Sequence, residues 1–126
     1  MTSSSKLIMV VDDEPGLCET FQDLFGDRGY DVRIAQDGAQ ALEVLESLTA
    51  RPCMIICDVI MPVMDGNEFH RHLKAHAVFA TVPVLFMTSD PSRSPAGQLF
   101  MKKPVNFDVL LEAVRRCCDA SVSVAS

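Results

Sequence analysis

The sequence has no tryptophan, and aromatic residues make up only 6% of it. No apolar run approaches the roughly 20 residues of a membrane span, so no membrane insertion is expected. The start, MTSSSK, has no apolar core of a secretory signal. Basic charge is scarce: 11 Lys and Arg stand against 17 Asp and Glu, a net charge of −6. That balance disfavours direct contact with nucleic acid or an anionic membrane surface. No Gly-x-Gly-x-x-Gly or P-loop pattern occurs, so nucleotide binding has no motif behind it. The five cysteines (Cys18, Cys53, Cys57, Cys117 and Cys118) lack the CxxC spacing of a zinc site. They read as reduced core thiols of a cytoplasmic protein. Adjacent Cys117 and Cys118 could bridge each other only with strain. There is no internal repeat and no linker, and 126 residues hold one domain. The expected layout is a disordered tail over 1–5, a domain over 6–119 and a C-terminal tail over 120–126.

What is present is a regular alternation of short apolar runs and helical patterns. Leu7–Val11 and Cys53–Cys57 are continuous apolar runs, as strands buried on both faces would be. Val82–Met87 reads as a strand with a proline near its start, and Leu99–Met101 as a short one. Tyr30–Ile34 alternates polar and apolar, which suits a half-buried edge strand. Between these lie four helices. Pro15 opens the first and Gly29 closes it. Asp37 with Gln40, and Asp65 with Glu68, form capping-box pairs for the second and third, the third running to Ala77. Asn106 caps the last, where Val109, Leu110, Ala113, Val114 and Cys117 share a face. Strands joined by helix-length crossovers run parallel, with helices on both faces. The fold class is therefore α/β, a single doubly wound sheet of five parallel strands.

Such sheets bind ligands beyond the carboxyl ends of their strands. The residues placed there are Asp12 and Asp13 after the first strand, Asp58 after the third, Thr88 and Ser89 after the fourth, and Lys102 and Lys103 after the fifth. Each has a plainer reading alone: acids cap helices, threonines sit in turns, lysines face solvent. Together they form a set suited to a phosphoryl group. Three carboxylates repel unless neutralised. A hard divalent cation such as Mg²⁺ does so through oxygen ligands. Lys103 adds positive charge, Thr88 a neutral donor, and Asp58, alone at a strand end, a nucleophile. The acidic excess sits in the first half, where residues 1–63 carry 4 basic and 11 acidic side chains, partly in the run Asp12-Asp13-Glu14.

The stretches VVDDEP at 10–15, CDVIMPVMDG at 57–66, FMTSD at 86–90 and KKP at 102–104 make the chain resemble the receiver domain of two-component response regulators, over residues 6–119. The resemblance implies the strand order 2-1-3-4-5. It implies that Asp58 is the phosphoacceptor, and that Asp13, Asp58 and the main-chain carbonyl of Ile60 hold Mg²⁺ while Asp12 acts through bound water. It implies that Thr88 and Lys103 contact the phosphoryl oxygens, that the Lys103–Pro104 bond is cis, and that Phe100 is the switch aromatic that follows Thr88. The implied partner is a sensor histidine kinase or a histidine phosphotransfer protein, acting in the cytoplasm. The resemblance further implies a domain that phosphorylates and dephosphorylates itself without being a multiple-turnover enzyme. No effector domain is expected after Ser126, so the expected output is a protein contact or a relay, unless the chain is one domain of a larger regulator or hybrid kinase. Ile60 and Asp90, two residues beyond Asp58 and Thr88, flank the implied water path.

One segment departs from the pattern. Only the eleven residues Ser89–Leu99 separate Thr88 from Phe100, and they include Pro91, Pro95, Gly97 and three serines. A parallel crossover needs about 10–12 residues with its helix included. The helix expected between the fourth and fifth strands is therefore short or missing, which removes part of the family's usual output face. Competing readings are a pseudo-receiver that binds partners without phosphorylation and a phosphoaspartyl hydrolase of the haloacid-dehalogenase type. The hydrolase lacks its DxD motif here and has no room for a cap domain. An FMN-binding flavodoxin is disfavoured because Asp12-Asp13 would repel the phosphate. His72 and His76 have a spacing compatible with a metal, but with His70 they read as a solvated helix face.

Overall fold

The computed structural model describes residues 6–125, with side chains as far as Cys118. Five strands, β1 (Leu7–Val11), β2 (Asp31–Ala35), β3 (Met54–Asp58), β4 (Val84–Thr88) and β5 (Leu99–Lys102), alternate with α1 (Pro15–Gly26), α2 (Gly38–Ser47), α3 (Gly66–Lys74) and α4 (Phe107–Ala125). All pairings are parallel and the order is β2-β1-β3-β4-β5. The continuous apolar runs of β1, β3 and β4 are buried along their whole length. Only strands covered on both faces bury every residue of a period-2 element.

Successive side chains divide into two cores. Met9, Val11, Ile55, Cys57 and Phe86 pack with Ala41 and Leu45 of α2 and with Phe69 and Leu73 of α3. Ile8, Val10, Met54, Ile56, Leu85 and Met87 pack with Phe21 and Phe25 of α1 and with Leu110, Val114 and Cys118 of α4. The edge strands differ: β2 is half-buried, and β5 is mostly exposed.

The helix caps lie where the sequence puts them. Asp37 accepts the Gln40 N–H at 2.8 Å, Asp65 the Glu68 N–H at 2.9 Å, and Asn106 the Val109 N–H at 3.1 Å. The Gln40 side chain reaches back to the Gln36 N–H, one residue before the cap. The crossover from β4 to β5 is a single 3₁₀ turn, Pro91–Arg93, in place of a helix. The Lys103–Pro104 bond is cis.

Several expectations need correction. α3 ends at Lys74, so His76 lies outside it. His76 Nδ1 instead accepts the N–H groups of Val78 and Phe79. Val109 faces solvent, and the buried face of α4 runs through Leu110, Val114 and Cys118. α4 continues to Ala125, so residues 120–125, read as a tail, are helical; the tail expected over 1–5 lies outside the described residues. The cysteines are not all thiols. Cys53 and Cys118 form a disulfide, while Cys18, Cys57 and Cys117 are free. The sheet order brings the start of β3 beside the fourth turn of α4, with Cα atoms 5.2 Å apart, a spacing a disulfide spans.

Candidate functional site

The parallel register builds the site one step at a time. Val11 pairs with Cys57, so the next residues, Asp12 and Asp58, emerge side by side between β1 and β3. Asp58 pairs with Met87, which puts Thr88 one step beyond it on β4. Thr88 pairs with Lys102, so Lys103 follows at the same edge. Four unrelated local sequences thus converge because parallel strands end together at the point where the strand order reverses.

Asp12, Asp13 and Asp58 each place a carboxylate oxygen within 4.8 Å of the other two. Asp12 is fully buried and Asp58 nearly so, while Asp13 is exposed. The Lys103 ammonium lies 3.1 Å from Asp12 Oδ2, 3.2 Å from Glu14 Oε1 and 3.3 Å from Asp58 Oδ2. Asp12 uses its other oxygen to accept the Glu14 N–H at 2.9 Å, so it closes the turn into α1 and joins the cluster at once. Glu14 is the N-cap of α1 by position but makes no side-chain cap bond. It is a site residue that sequence reasoning passed over as part of the run Asp12-Asp13-Glu14.

The electrostatics follow from one ammonium among four acids. Burial raises the Asp12 carboxyl above its usual range, and the Glu14 N–H and Lys103 offset this only in part. Burial and the neighbouring Asp12 charge raise Asp58, against the pull of Lys103 and the Ile60 backbone bond. Burial alone would lower Lys103, but its hydrogen bond to Asp12, the Asp12 and Asp58 charges and Glu14 outweigh it, and its affinity for its proton rises. Lys103 therefore stays charged, and negative charge is left uncompensated. The remaining donors are all hard oxygens, and this excess of charge is what a divalent cation such as Mg²⁺ would neutralise. The residues present fit that group.

Below the carboxylates sit two thiols. Cys18 Sγ contacts the Asp12 carbonyl at 3.3 Å and Cys57 Sγ the Asp58 carbonyl at 3.2 Å. Burial, then the charges of Asp12, Asp13 and Glu14, push Cys18 up to about 11, so it is an inert packing group.

Other expected residues are placed differently from one another. Thr88 is buried at the rim, and its hydroxyl is bonded to Asp90. Ile60 is 46% exposed, and its backbone is hydrogen-bonded to Asp58. Phe100 pairs with Phe86 on β5 and is 47% exposed. The three histidines do not gather. His70 packs edge-on against Phe86 at 5.4 Å, His72 lies 3.9 Å from Glu68, and His76 contacts Glu46 at 2.8 Å.

A 2-1-3-4-5 parallel sheet with an acidic pocket and one lysine at its switch point defines a class of α/β signalling module. The chain belongs to the response regulator receiver domain family, whose model matches residues 8–115. It is 32% identical over 116 residues to the response regulator Rre1 of Synechocystis sp., covering 86% of this chain and 49% of that protein. It is 36% identical over 117 residues to the transcriptional regulatory protein ZraR of Escherichia coli (strain K12), covering 87% of this chain and 26% of that one. The chain thus spans half or less of the length of these relatives. Among solved structures, it matches the signal receiver domain of a signal transduction histidine kinase from Syntrophus aciditrophicus with TM-score 0.80 and 33% identity, covering 92% of each chain. It matches the chemotaxis response regulator CheY4 of Vibrio cholerae with TM-score 0.79 and 30% identity, covering 90% of this chain and 99% of that one. No described helix is long and apolar enough to cross a membrane.

Proposed function

We propose that this receiver domain accepts a phosphoryl group on Asp58 from the phosphohistidine of a sensor histidine kinase or histidine phosphotransfer protein. The observation that carries the reading is the convergence of Asp12, Asp13, Asp58 and Lys103. An Asp58 oxygen attacks phosphorus, and the N–P bond breaks. The imidazole leaves with the bonding pair and takes a proton from solvent. Lys103 holds charge against the incoming oxygens, and Thr88 donates its hydroxyl to one of them. Asp13, Asp58 and the main-chain carbonyl of Ile60 would hold Mg²⁺, with Asp12 acting through water. Bound there, the metal supplies positive charge against the phosphoryl oxygens.

The domain catalyses its own phosphorylation and slow hydrolysis rather than turnover of an external substrate, and it switches protein contacts. We place it in the cytoplasm with its kinase. Cys53 and Cys118 lie close enough to bridge, disulfides are rare in that compartment, and thiol labelling in fresh lysate reads whether this one forms there. The test is incubation with Mg²⁺ and acetyl phosphate, followed by intact mass. One phosphoryl per chain, lost in Asp58→Ala and in EDTA, supports the reading. Continuous release of phosphate from small esters overturns it in favour of a hydrolase. A second reading, a receiver that binds partners without phosphorylation, is favoured by the single-turn crossover; absence of label under these conditions supports it.

A further inference from the structure

Thr88 is expected to donate its hydroxyl proton to a phosphoryl oxygen, yet that proton is already committed. Thr88 Oγ1 donates to the Asp90 carbonyl at 3.0 Å and accepts the Asp90 N–H at 3.0 Å. A hydroxyl has one proton to give. Contact with a phosphoryl group on Asp58 therefore requires Thr88 to leave Asp90.

Asp90 is itself held in place. Its carboxylate accepts the Ser92 hydroxyl at 2.6 Å and the Ser92 N–H at 3.2 Å, capping the turn Pro91–Arg93. Its carbonyl also accepts the Arg93 N–H at 3.0 Å. The turn is then tied across to α3, because Asn67 Nδ2 donates to the Arg93 carbonyl at 2.9 Å. Asn67 follows Gly66, which packs directly on the Asp58 backbone. The joint between turn and helix is incompletely satisfied. Ser94 Oγ, just after the turn, and His70 Nε2, three residues along α3 from Asn67, are buried with no protein partner. A joint with unpaired polar atoms rearranges at little net loss of hydrogen bonding.

We propose that Asp90 is a positioning residue that keeps Thr88 turned from the acceptor, and that the Asn67–Arg93 bond passes the release of Thr88 to the first turn of α3. The output of this chain then leaves through α3 and the 91–94 turn rather than through β5. The proposal rests on Asp58 being the phosphoacceptor.

The experiment uses the full chain, ¹⁵N-labelled, with Mg²⁺ and beryllium fluoride as the phosphoryl mimic. Binding is read from ¹⁹F signals and the response from backbone amides. In the unsubstituted protein the amides of Asn67, Phe69, Arg93 and Ser94 shift more than those of Phe100 and Met101. Asp90→Ala moves the unliganded Thr88 and Asn67 amides toward their bound positions and tightens beryllium fluoride binding about threefold, the scale of one hydrogen bond. Asp90→Asn, which still accepts from Ser92, restores the original behaviour. Asn67→Ala and Asn67→Asp, which both lack the donor, keep binding but lose at least half of the α3 response. An α3 response unchanged in both Asn67 variants, or an Asp90→Ala protein indistinguishable from the original, overturns the proposal. If beryllium fluoride does not bind the unsubstituted protein with Mg²⁺, the phosphoacceptor reading itself has failed, and this proposal with it.

Discussion

Gly66→Ala tests how closely α3 is built onto the acceptor. A Cβ at position 66 would lie 2.4 Å from the Asp58 carbonyl oxygen and 2.9 Å from the Val59 Cα. The first distance is about 1 Å inside ordinary contact. Both neighbours are backbone, so no side-chain rotation relieves the clash; α3 or the end of β3 must move. The Gly66 N–H also closes the 59–66 loop on the Val59 carbonyl at 2.8 Å, and that bond would stretch. Overpacking of this kind costs about 1–3 kcal/mol and more where backbone must shift, so a loss of about 3 kcal/mol is expected. Out of a total of about 5–15 kcal/mol, the fold survives but the acceptor is displaced. Urea unfolding should show the loss, and the rate of acetyl phosphate labelling should fall with it. Gly16→Ala is the control. Nothing lies within 4 Å of its added Cβ, and a helical alanine should be neutral or stabilising by up to about 1 kcal/mol. A Gly66→Ala protein within about 0.5 kcal/mol of the parent, labelled at the parent rate, would refute the packing argument.

Val63 has φ of 67° and is 83% exposed. The left-handed region costs a β-branched residue about 1–2 kcal/mol, so Val63→Asn should raise the unfolding free energy by about 1 kcal/mol; a loss would mean that the side chain packs in some way exposure hides. The disulfide closes a segment with a sequence separation of 65, which in the chain-entropy picture stabilises by about 4 kcal/mol. Reductant should lower the urea midpoint accordingly, and five alkylatable thiols before reduction would remove the crosslink. Asp12 and Asp58 are both raised above the usual 3.8. The folded protein therefore binds their protons more tightly than the unfolded chain. Stability from these groups is full below 3.8 and is lost as pH climbs through the raised values. In EDTA, Asp58→Asn should flatten the fall of the urea midpoint above pH 4, and Mg²⁺ should stabilise the parent more as pH rises. Identical pH profiles for parent and variant would contradict the cluster's electrostatics.

The strands and helices were legible because their signals are local. An unbroken apolar run such as Ile55-Ile56-Cys57 can only be satisfied between two covered faces, and Asp37, Asp65 and Asn106 announce helix starts through partners three residues away. The short crossover was legible too, since eleven residues with two prolines and a glycine cannot supply a full helix. The end of α3 was not. His76 continues a helical spacing, but its ring serves backbone donors in the following turn, which no periodicity reveals.

The acids and the lysine at strand ends, in their chain order, were set by the sequence alone, and with them the chemistry open to this protein. Their meeting was not. It depends on register, where Val11 beside Cys57 and Thr88 beside Lys102 bring distant residues to one edge. The structure alone decided that Cys118 rather than Cys117 pairs with Cys53, that Lys103 serves Glu14 as well as Asp12 and Asp58, and that the Thr88 proton rests on Asp90. Periodicity and capping act over a few residues, whereas a crosslink or the choice of acceptor for a single proton depends on which atoms the packed chain brings within about 3 Å.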